Sequence, residues 1–342
     1  MSGRARRALT AVALALGLAT AAACASTTGS GDGAASAGNG PATAELDQLD
    51  PEPVVDVQSP QLPVTVESFD GEEVTITDAS RIVAVDRNGT LGETVFALGL
   101  GDNMVGRDIA TDFPAAADIP NVTPGGHALN AEAIMALEPT VVLTDSTLGP
   151  RAAQMQLRAA GIPVVFFDPE RTVETVGPQI QAVADALGVP DAGAALAART
   201  EAEIDEAIEM VPDLDEPPTI AFLYQRGTAV SLLGGPGGGS DALIEAIGGI
   251  DAGTAAGLTQ EYTPVTSEAL IVAAPDAILM MSDGLSSING IDGLTEVPGI
   301  AQTPAGKNRW VVDMEDSQLL SFGPNTGKVI RALVDAFYGP QE

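Results

Sequence analysis

Residues 130–143 read NAEAIMALEPTVVL, and residues 266–279 read TSEALIVAAPDAIL. The two stretches align without a gap. Each opens on a residue suited to cap a helix, Asn130 or Thr266. Each places a glutamate two residues later, Glu132 or Glu268, then an apolar face, then a proline, Pro139 or Pro275, that cannot continue a helix. An apolar strand reaching Leu143 or Leu279 follows. A weaker echo joins Ala97-Leu98-Gly99-Leu100 to Ala246-Ile247-Gly248-Gly249. A helix-to-strand unit met once in each half predicts two similar α/β lobes. Two lobes enclosing a cleft predict a binding protein.

The pattern extends outward from these units. Pro63 to Glu67 and Glu73 to Thr77 flank Asp70-Gly71 and predict a hairpin. Arg81 to Asp86 predicts a buried strand, Thr90 to Leu98 a helix stopped by Gly99, Arg151 to Ala160 a helix, and Pro163 to Phe167 the next strand. Strands alternating with helices indicate parallel α/β units. The alternation breaks where two helical stretches follow one another, Thr172 to Leu187 and Asp191 to Met210, the latter with Asp191 as its expected cap. It resumes with strands Thr219 to Tyr224 and Ala229 to Leu233, helix Asp241 to Ile247, helix Ser267 to Ala273, strands Asp276 to Met281 and Arg309 to Asp313, and a last helix Thr326 to Tyr338.

The first 24 residues belong to another function. Arg4, Arg6 and Arg7 precede an apolar run from Ala8 to Ala23, which ends in small residues before Cys24. Positive charge, a short apolar stretch and small residues at a cut are the features of a secretory signal. Cys24 is the only cysteine, so no intramolecular disulfide can form. A lone cysteine at that point resembles a bacterial lipoprotein, whose thiol carries lipid, and two acyl chains anchor stably. A Ser-, Thr-, Gly- and Ala-rich segment follows to about Glu45, then an acidic, Pro-containing one from Asp47 to Pro60, together read as a flexible tether. The expected division is a signal peptide over 1–23, a lipidated tether over 24–60, an N-terminal α/β lobe over 61–170, a linking helix over 171–190 and a C-terminal α/β lobe over 191–342.

Composition excludes several functions. The 15 Lys and Arg against 47 Asp and Glu leave a formal net charge of −32, which is wrong for binding nucleic-acid phosphates. The chain is not disordered by composition, since 45% of it is apolar. With one histidine and its only cysteine at the expected anchor, no catalytic triad, cysteine nucleophile or zinc cluster is suggested, and no enzyme is expected. The rival classes are a binding protein and an envelope adhesin or scaffold.

Several motifs carry a more specific likeness. Arg81-Ile-Val-Ala-Val, Ala97-Leu98-Gly99, Val105-Gly106, the run from Ala131 to Pro139, and Phe322-Gly323-Pro324 resemble the periplasmic-binding-protein family that serves ABC importers of siderophores, cobalamin and heme. The resemblance covers roughly Val74 to Tyr338. It implies two Rossmann-like lobes joined by a single long helix, with a ligand cleft between them. It also implies that Glu132 and Glu268 dock onto arginines of a membrane permease, which works with an ATPase. Without it, each glutamate reads either as a carboxylate favoured by the field at a helix N-terminus or, by its equivalence in two lobes, as a projecting group ready to pair with an arginine on a partner.

The only histidine, His127, stands in Pro124-Gly125-Gly126-His127, three residues before the Asn130 cap. Tyr224-Gln225-Arg226 closes the strand that opens the second lobe. Side chains two apart on a strand point the same way, so Arg226 is expected beside the Tyr224 hydroxyl. A neighbouring cation favours a phenolate, and tyrosine can be an axial ligand of heme iron. Taken alone, His127 reads first as an ordinary loop histidine and Tyr224 as a packing tyrosine. Together with Asp145-Ser146-Thr147-Leu148-Gly149-Pro150 they resemble the hemin-binding lipoproteins of the family. That resemblance implies heme, as transported ligand, held between His127 and Tyr224 as axial ligands, with Arg226 supporting the tyrosinate. Tyr262 lies just before the Thr266 cap, lines the cleft by the internal repeat, and is the alternative second ligand. The Gly-rich loop Gly234 to Gly239 is expected to let backbone approach a flat ligand or a propionate. A ferric siderophore or a corrinoid is the alternative cargo. The protein is expected to be exported, lipid-anchored on the outer face of the cytoplasmic membrane, and monomeric.

Overall fold

The computed structural model describes residues 40–54 and 59–340. The expected signal peptide and Cys24 lie outside the described residues. The first described element is already part of the body of the protein. Strand β1 (Ala42–Ala44) pairs in parallel with residues 312–314, and Thr43 Oγ1 donates to Asp313 Oδ1 at 3.0 Å. Nearby, Ala115 N–H donates to Asp50 Oδ1 at 2.7 Å, and Val54 N–H to the Ala97 carbonyl at 2.9 Å. The tether expected over 24–60 is therefore fixed to the folded chain from residue 42. Composition hid this because the pairing partner lies at the other end of the sequence.

Strands β2 (Val64–Glu67) and β3 (Glu73–Ile76) form the expected antiparallel hairpin. Gly71 turns it at φ +83°, a conformation that costs glycine no Cβ clash. The first lobe then alternates β4 (Ile82–Val85), α1 (Thr90–Ala97), β5 (Met104–Arg107), α2 (Ala131–Ala136), β6 (Val141–Thr144), α3 (Arg151–Ala159) and β7 (Val164–Phe166). Its sheet is all parallel, in the order β5-β4-β6-β7. All four residues of β4 are buried, as a strand covered by helices on both faces requires. Strand β5 was not legible as a strand, because Gly106 interrupts its short apolar run.

Helices α4 (Val176–Ala186) and α5 (Pro190–Glu209) come next. The long helix between the lobes is α5, 20 residues, and not the stretch 171–190. That stretch holds α4, which packs on α1 and β2 of the first lobe. Asp191 sits in the first turn of α5 and does not cap it; Pro190 begins the helix, where its missing N–H costs nothing.

The second lobe runs through β8 (Thr219–Arg226), β9 (Val230–Gly234), α6 (Ser240–Ala246), β10 (Ile250–Asp251), α7 (Ala252–Ala255), β11 (Tyr262–Pro264), α8 (Ser267–Ala273), β12 (Ala277–Met281), α9 (Ser282–Ser286), α10 (Gly290–Glu296), α11 (Pro304–Asn308), β13 (Val311–Met314), α12 (Asp316–Leu319) and α13 (Thr326–Tyr338). Its sheet has the order β1-β13-β12-β8-β9-β11, with β10 also on β8. The beginning of β8 pairs in parallel with β10 and β12, whereas its end turns back into an antiparallel hairpin with β9. That hairpin carries Tyr224 and Arg226 beyond the parallel core.

One core spans both lobes. It runs from Ile82 and Leu98 through Ile180 and Leu196 to Phe222 and Phe337, all 0 to 1% exposed. Burying one such side chain stabilises by roughly 1.5–3 kcal/mol. Separating the lobes widely would expose several, so this shared core opposes a large hinge motion.

Candidate functional site

Ligand sites in parallel α/β sheets lie outside the carboxyl ends of the strands, where the strand order reverses. In the first lobe β4 connects outward to β5, and β6 connects outward to β7, so the reversal lies between β4 and β6. The loops leaving those strands are closely tied. Asp86 accepts N–H groups from Asn88 and Leu91, both at 2.8 Å, which fixes the turn into α1. Asp145 accepts the Thr147 N–H at 2.8 Å. Thr147 Oγ1 in turn accepts the Arg87 N–H at 3.2 Å, and the Thr147 carbonyl accepts Arg87 Nη2 at 3.3 Å.

The His127 loop joins this edge. Leu129 N–H donates to the Gly149 carbonyl at 2.7 Å, and Gly149 N–H to the His127 carbonyl at 3.3 Å. Gly126 precedes the histidine at φ +110°, a backbone conformation that favours glycine. The His127 imidazole is exposed at this edge. Desolvation among the surrounding walls lowers its pKa from 6.5, and the Arg87 and Arg226 guanidiniums lower it further, against a smaller opposing effect of Asp86. Three of these four effects, all but that of Asp86, favour the neutral imidazole, the form that binds metal.

In the second lobe the β8–β9 hairpin and β11 build the facing wall. The Arg226 guanidinium carbon lies 4.6 Å from the centre of the Tyr224 ring. Arg226 therefore covers the ring face and does not stand beside the hydroxyl as expected from strand alternation. Its Nη2 is drawn to Asp316, and its Nη1 donates to the Gln225 carbonyl at 2.9 Å. Tyr262 meets Tyr224 edge to face with centroids 6.2 Å apart. Burial pushes the Tyr262 phenol up to about 12, only partly offset by Arg87. Tyr262 is thus held protonated, while Tyr224 is the tyrosine with a cation on its ring.

Beneath these residues lie buried polar ties, first within the first lobe and then from it to the segment after β13. Arg171 is buried and pairs with Asp86 at 3.4 Å and Asp145 at 3.2 Å. Asn88 Nδ2 donates to the Leu320 carbonyl at 2.6 Å, Thr90 Oγ1 donates to the Ser321 carbonyl, and Asn325 N–H donates to Glu93 Oε1 at 2.7 Å. Burial pushes Glu93 up to about 7, against the Asn325 N–H that its carboxyl group accepts. Asp108, which accepts the Asp86 N–H at 2.9 Å, is also raised to about 7 by burial and by Asp86.

Asn130 and Thr266 are caps of equivalent helices, each accepting an N–H three residues on at 3.1 Å, from Ala133 and Ala269. Glu132 and Glu268 are exposed in the first turns of α2 and α8. In the Gly-rich loop, two amides are already bonded within the loop: Gly237 and Gly239 donate to the Asp241 carboxylate at 2.8 and 3.0 Å. Gly239 is needed for packing, since a Cβ there would lie 2.9 Å from the Phe322 ring. A concavity of about 490 Å³ flanks the His127 loop, between Pro124, Leu129, Glu132 and Pro150. Its lining belongs wholly to the first lobe and includes neither His127 nor Tyr224. Sequence reasoning missed Arg87, Glu93 and Arg171, whose partners are distant in the chain.

A family model described as periplasmic binding protein matches residues 82–317. Among solved structures the chain is similar to the heme binding protein HmuT, with 41% identity, coverage of 88% of this chain and 98% of that one, and a TM-score of 0.84. It is also similar to the periplasmic heme-binding protein RhuT from Roseiflexus sp. RS-1, at 38% identity, 76% and 98% coverage, and TM-score 0.70. BhuT in complex with two hemes is 34% identical over 75% of this chain and 97% of that one, with TM-score 0.68. A Vitamin B12-binding protein of Yersinia pestis (strain Pestoides F) is 32% identical over 91 residues, 27% of this chain. That match spans about a third of the curated relative's length, 32%.

Proposed function

The chain belongs to the periplasmic binding protein family, and on that premise we propose that it is the substrate-binding component of an ABC importer whose cargo is ferric heme. His127 from the first lobe and Tyr224 from the second bind opposite faces of the iron. A porphyrin fills the four equatorial positions, so two protein ligands complete the coordination. A guanidinium over the Tyr224 ring stabilises negative charge on that ring once iron displaces the phenolic proton. Tyr262, held protonated, lines the site and does not ligate.

The observation that carries this reading is the Arg226 guanidinium stacked 4.6 Å from the centre of the Tyr224 ring, a cation set against the phenol of one lobe while His127 stands exposed at the edge of the other. The similarity to HmuT, including variants of that protein in which a histidine, a tyrosine and an arginine are each replaced by alanine, supports the same ligand set. Glu132 and Glu268, exposed on equivalent helices, then dock onto arginines of the permease. Cys24 carries the lipid that keeps the receptor, as a monomer, at the outer face of the cytoplasmic membrane.

Titration of the purified protein with hemin tests the cargo. A shifted Soret band is expected, and His127→Ala and Tyr224→Ala should each change its position or weaken the complex. The short match to a B12-binding protein favours a corrinoid as second reading, so cyanocobalamin is titrated in parallel. Binding of the corrinoid with no hemin band would replace heme as the cargo.

A further inference from the structure

Iron ligation leaves half of the heme unexplained. The porphyrin carries two propionates, and a chain with a formal net charge of −32 repels anions overall. Local positive charge must oppose that field at the cleft. Almost every described arginine is already committed to a carboxylate, including Arg226 to Asp316 and Arg171 to Asp86 and Asp145. The two exceptions are Arg81 and Arg87. Arg81 precedes β4, at the end of the sheet away from the site, where it donates to the Leu137 and Glu138 carbonyls. Arg87 follows β4, at the site edge.

Arg87 is exposed, and its guanidinium has a single hydrogen-bond acceptor, the Thr147 carbonyl at 3.3 Å. A guanidinium carries five N–H donors. Its backbone is anchored to the same threonine, Thr147, at the head of the loop whose Gly149 is stitched to His127. Arg87 therefore stands in the crevice between β4 and β6, with spare donors and no counter-ion. Its charge also reaches both walls, acting on His127 and on Tyr262.

We propose that Arg87 is the carboxylate-recognising residue of this cleft, pairing with a heme propionate while Thr147 holds the guanidinium in place. The assignment rests on heme being the cargo. It makes Arg87 a specificity residue: it distinguishes a porphyrin that bears free carboxylates from one that does not.

The test compares hemin with hemin dimethyl ester, whose propionates are uncharged, using the full-length protein, Arg87→Ala and Arg87→Lys. Soret titration reports ligation, and transfer to a globin acceptor reports release. Arg87→Ala is expected to release hemin about tenfold faster, as for loss of one charge-assisted hydrogen bond. Its Soret maximum should stay at the wild-type position, and its ester binding should equal that of the wild type. Arg87→Lys should recover most of the loss. Equal hemin release by wild type and Arg87→Ala, or an equal loss toward hemin and ester, would overturn the proposal while leaving heme as the cargo. If the wild-type protein gives no Soret shift with hemin, the cargo reading fails and this assignment falls with it.

Discussion

Replacing Glu93 by glutamine should make the protein less sensitive to alkaline pH. Glu93 extends from α1 of the first lobe, is 3% exposed, and accepts the Asn325 N–H ahead of α13. Its carboxyl group is raised from 4.5 to about 7, chiefly by burial. The folded state therefore holds this proton more tightly than the unfolded chain does. The stability this provides is fully present below about pH 4.5 and is lost as pH rises through about 7. A displacement of this size corresponds to about 3 kcal/mol in all, most of it lost between about pH 5 and about pH 8. Glutamine keeps an oxygen for the Asn325 N–H and has nothing to titrate. Urea unfolding of wild type and Glu93→Gln at those two pH values isolates the effect. Asp108, also raised to about 7, contributes to both proteins and cancels in the difference. The variant should retain about 2–3 kcal/mol more of its acid-pH stability at the higher pH. Parallel stability curves for the two proteins would show that Glu93 is ionised in the folded state, and that the junction between the lobes is wetter than the structure indicates.

Other perturbations address the site and its surroundings. Tyr224→Phe should abolish the iron–phenolate charge-transfer absorption of the hemin complex, whereas Tyr262→Phe should keep it; the reverse pattern would make Tyr262 the ligand. Glu132→Ala combined with Glu268→Ala should leave hemin binding unchanged and reduce hemin uptake by cells, and normal uptake would remove the docking role. Gly239→Ala places a Cβ against Phe322 at a positive φ, so thermal unfolding should show a loss of about 1–3 kcal/mol.

The parts of this protein that sequence reveals are those whose physics is local. The Asn130 and Thr266 caps bond to N–H groups three residues on, and the repeat built on them indicated two lobes. His127 stood out as the single histidine, and Tyr224-x-Arg226 as a pair two apart on a strand. Alternation alone, however, placed Arg226 beside the hydroxyl, because it takes no account of Asp316, 90 residues on, toward which the guanidinium turns. Glu93 meets Asn325 across 232 positions, and Arg87 meets Thr147 across 60. Such pairings are decided by topology and leave no periodic signal. The short helices α9, α10 and α11 were likewise unread, since Gly284, Gly290 and Gly306 weaken any helical pattern there.

The three residues Ala42–Ala44 also bear on solubility. Without them, β13 would be the outermost strand of its sheet, with one row of peptide groups open to another chain. Such an edge is a template for aggregation, and very short strands and prolines are common protections against it. Here the outermost strand is three residues long and follows Pro41. A secreted form shortened past Ala44 would lose that guard, so recombinant protein for study is best begun ahead of Pro41.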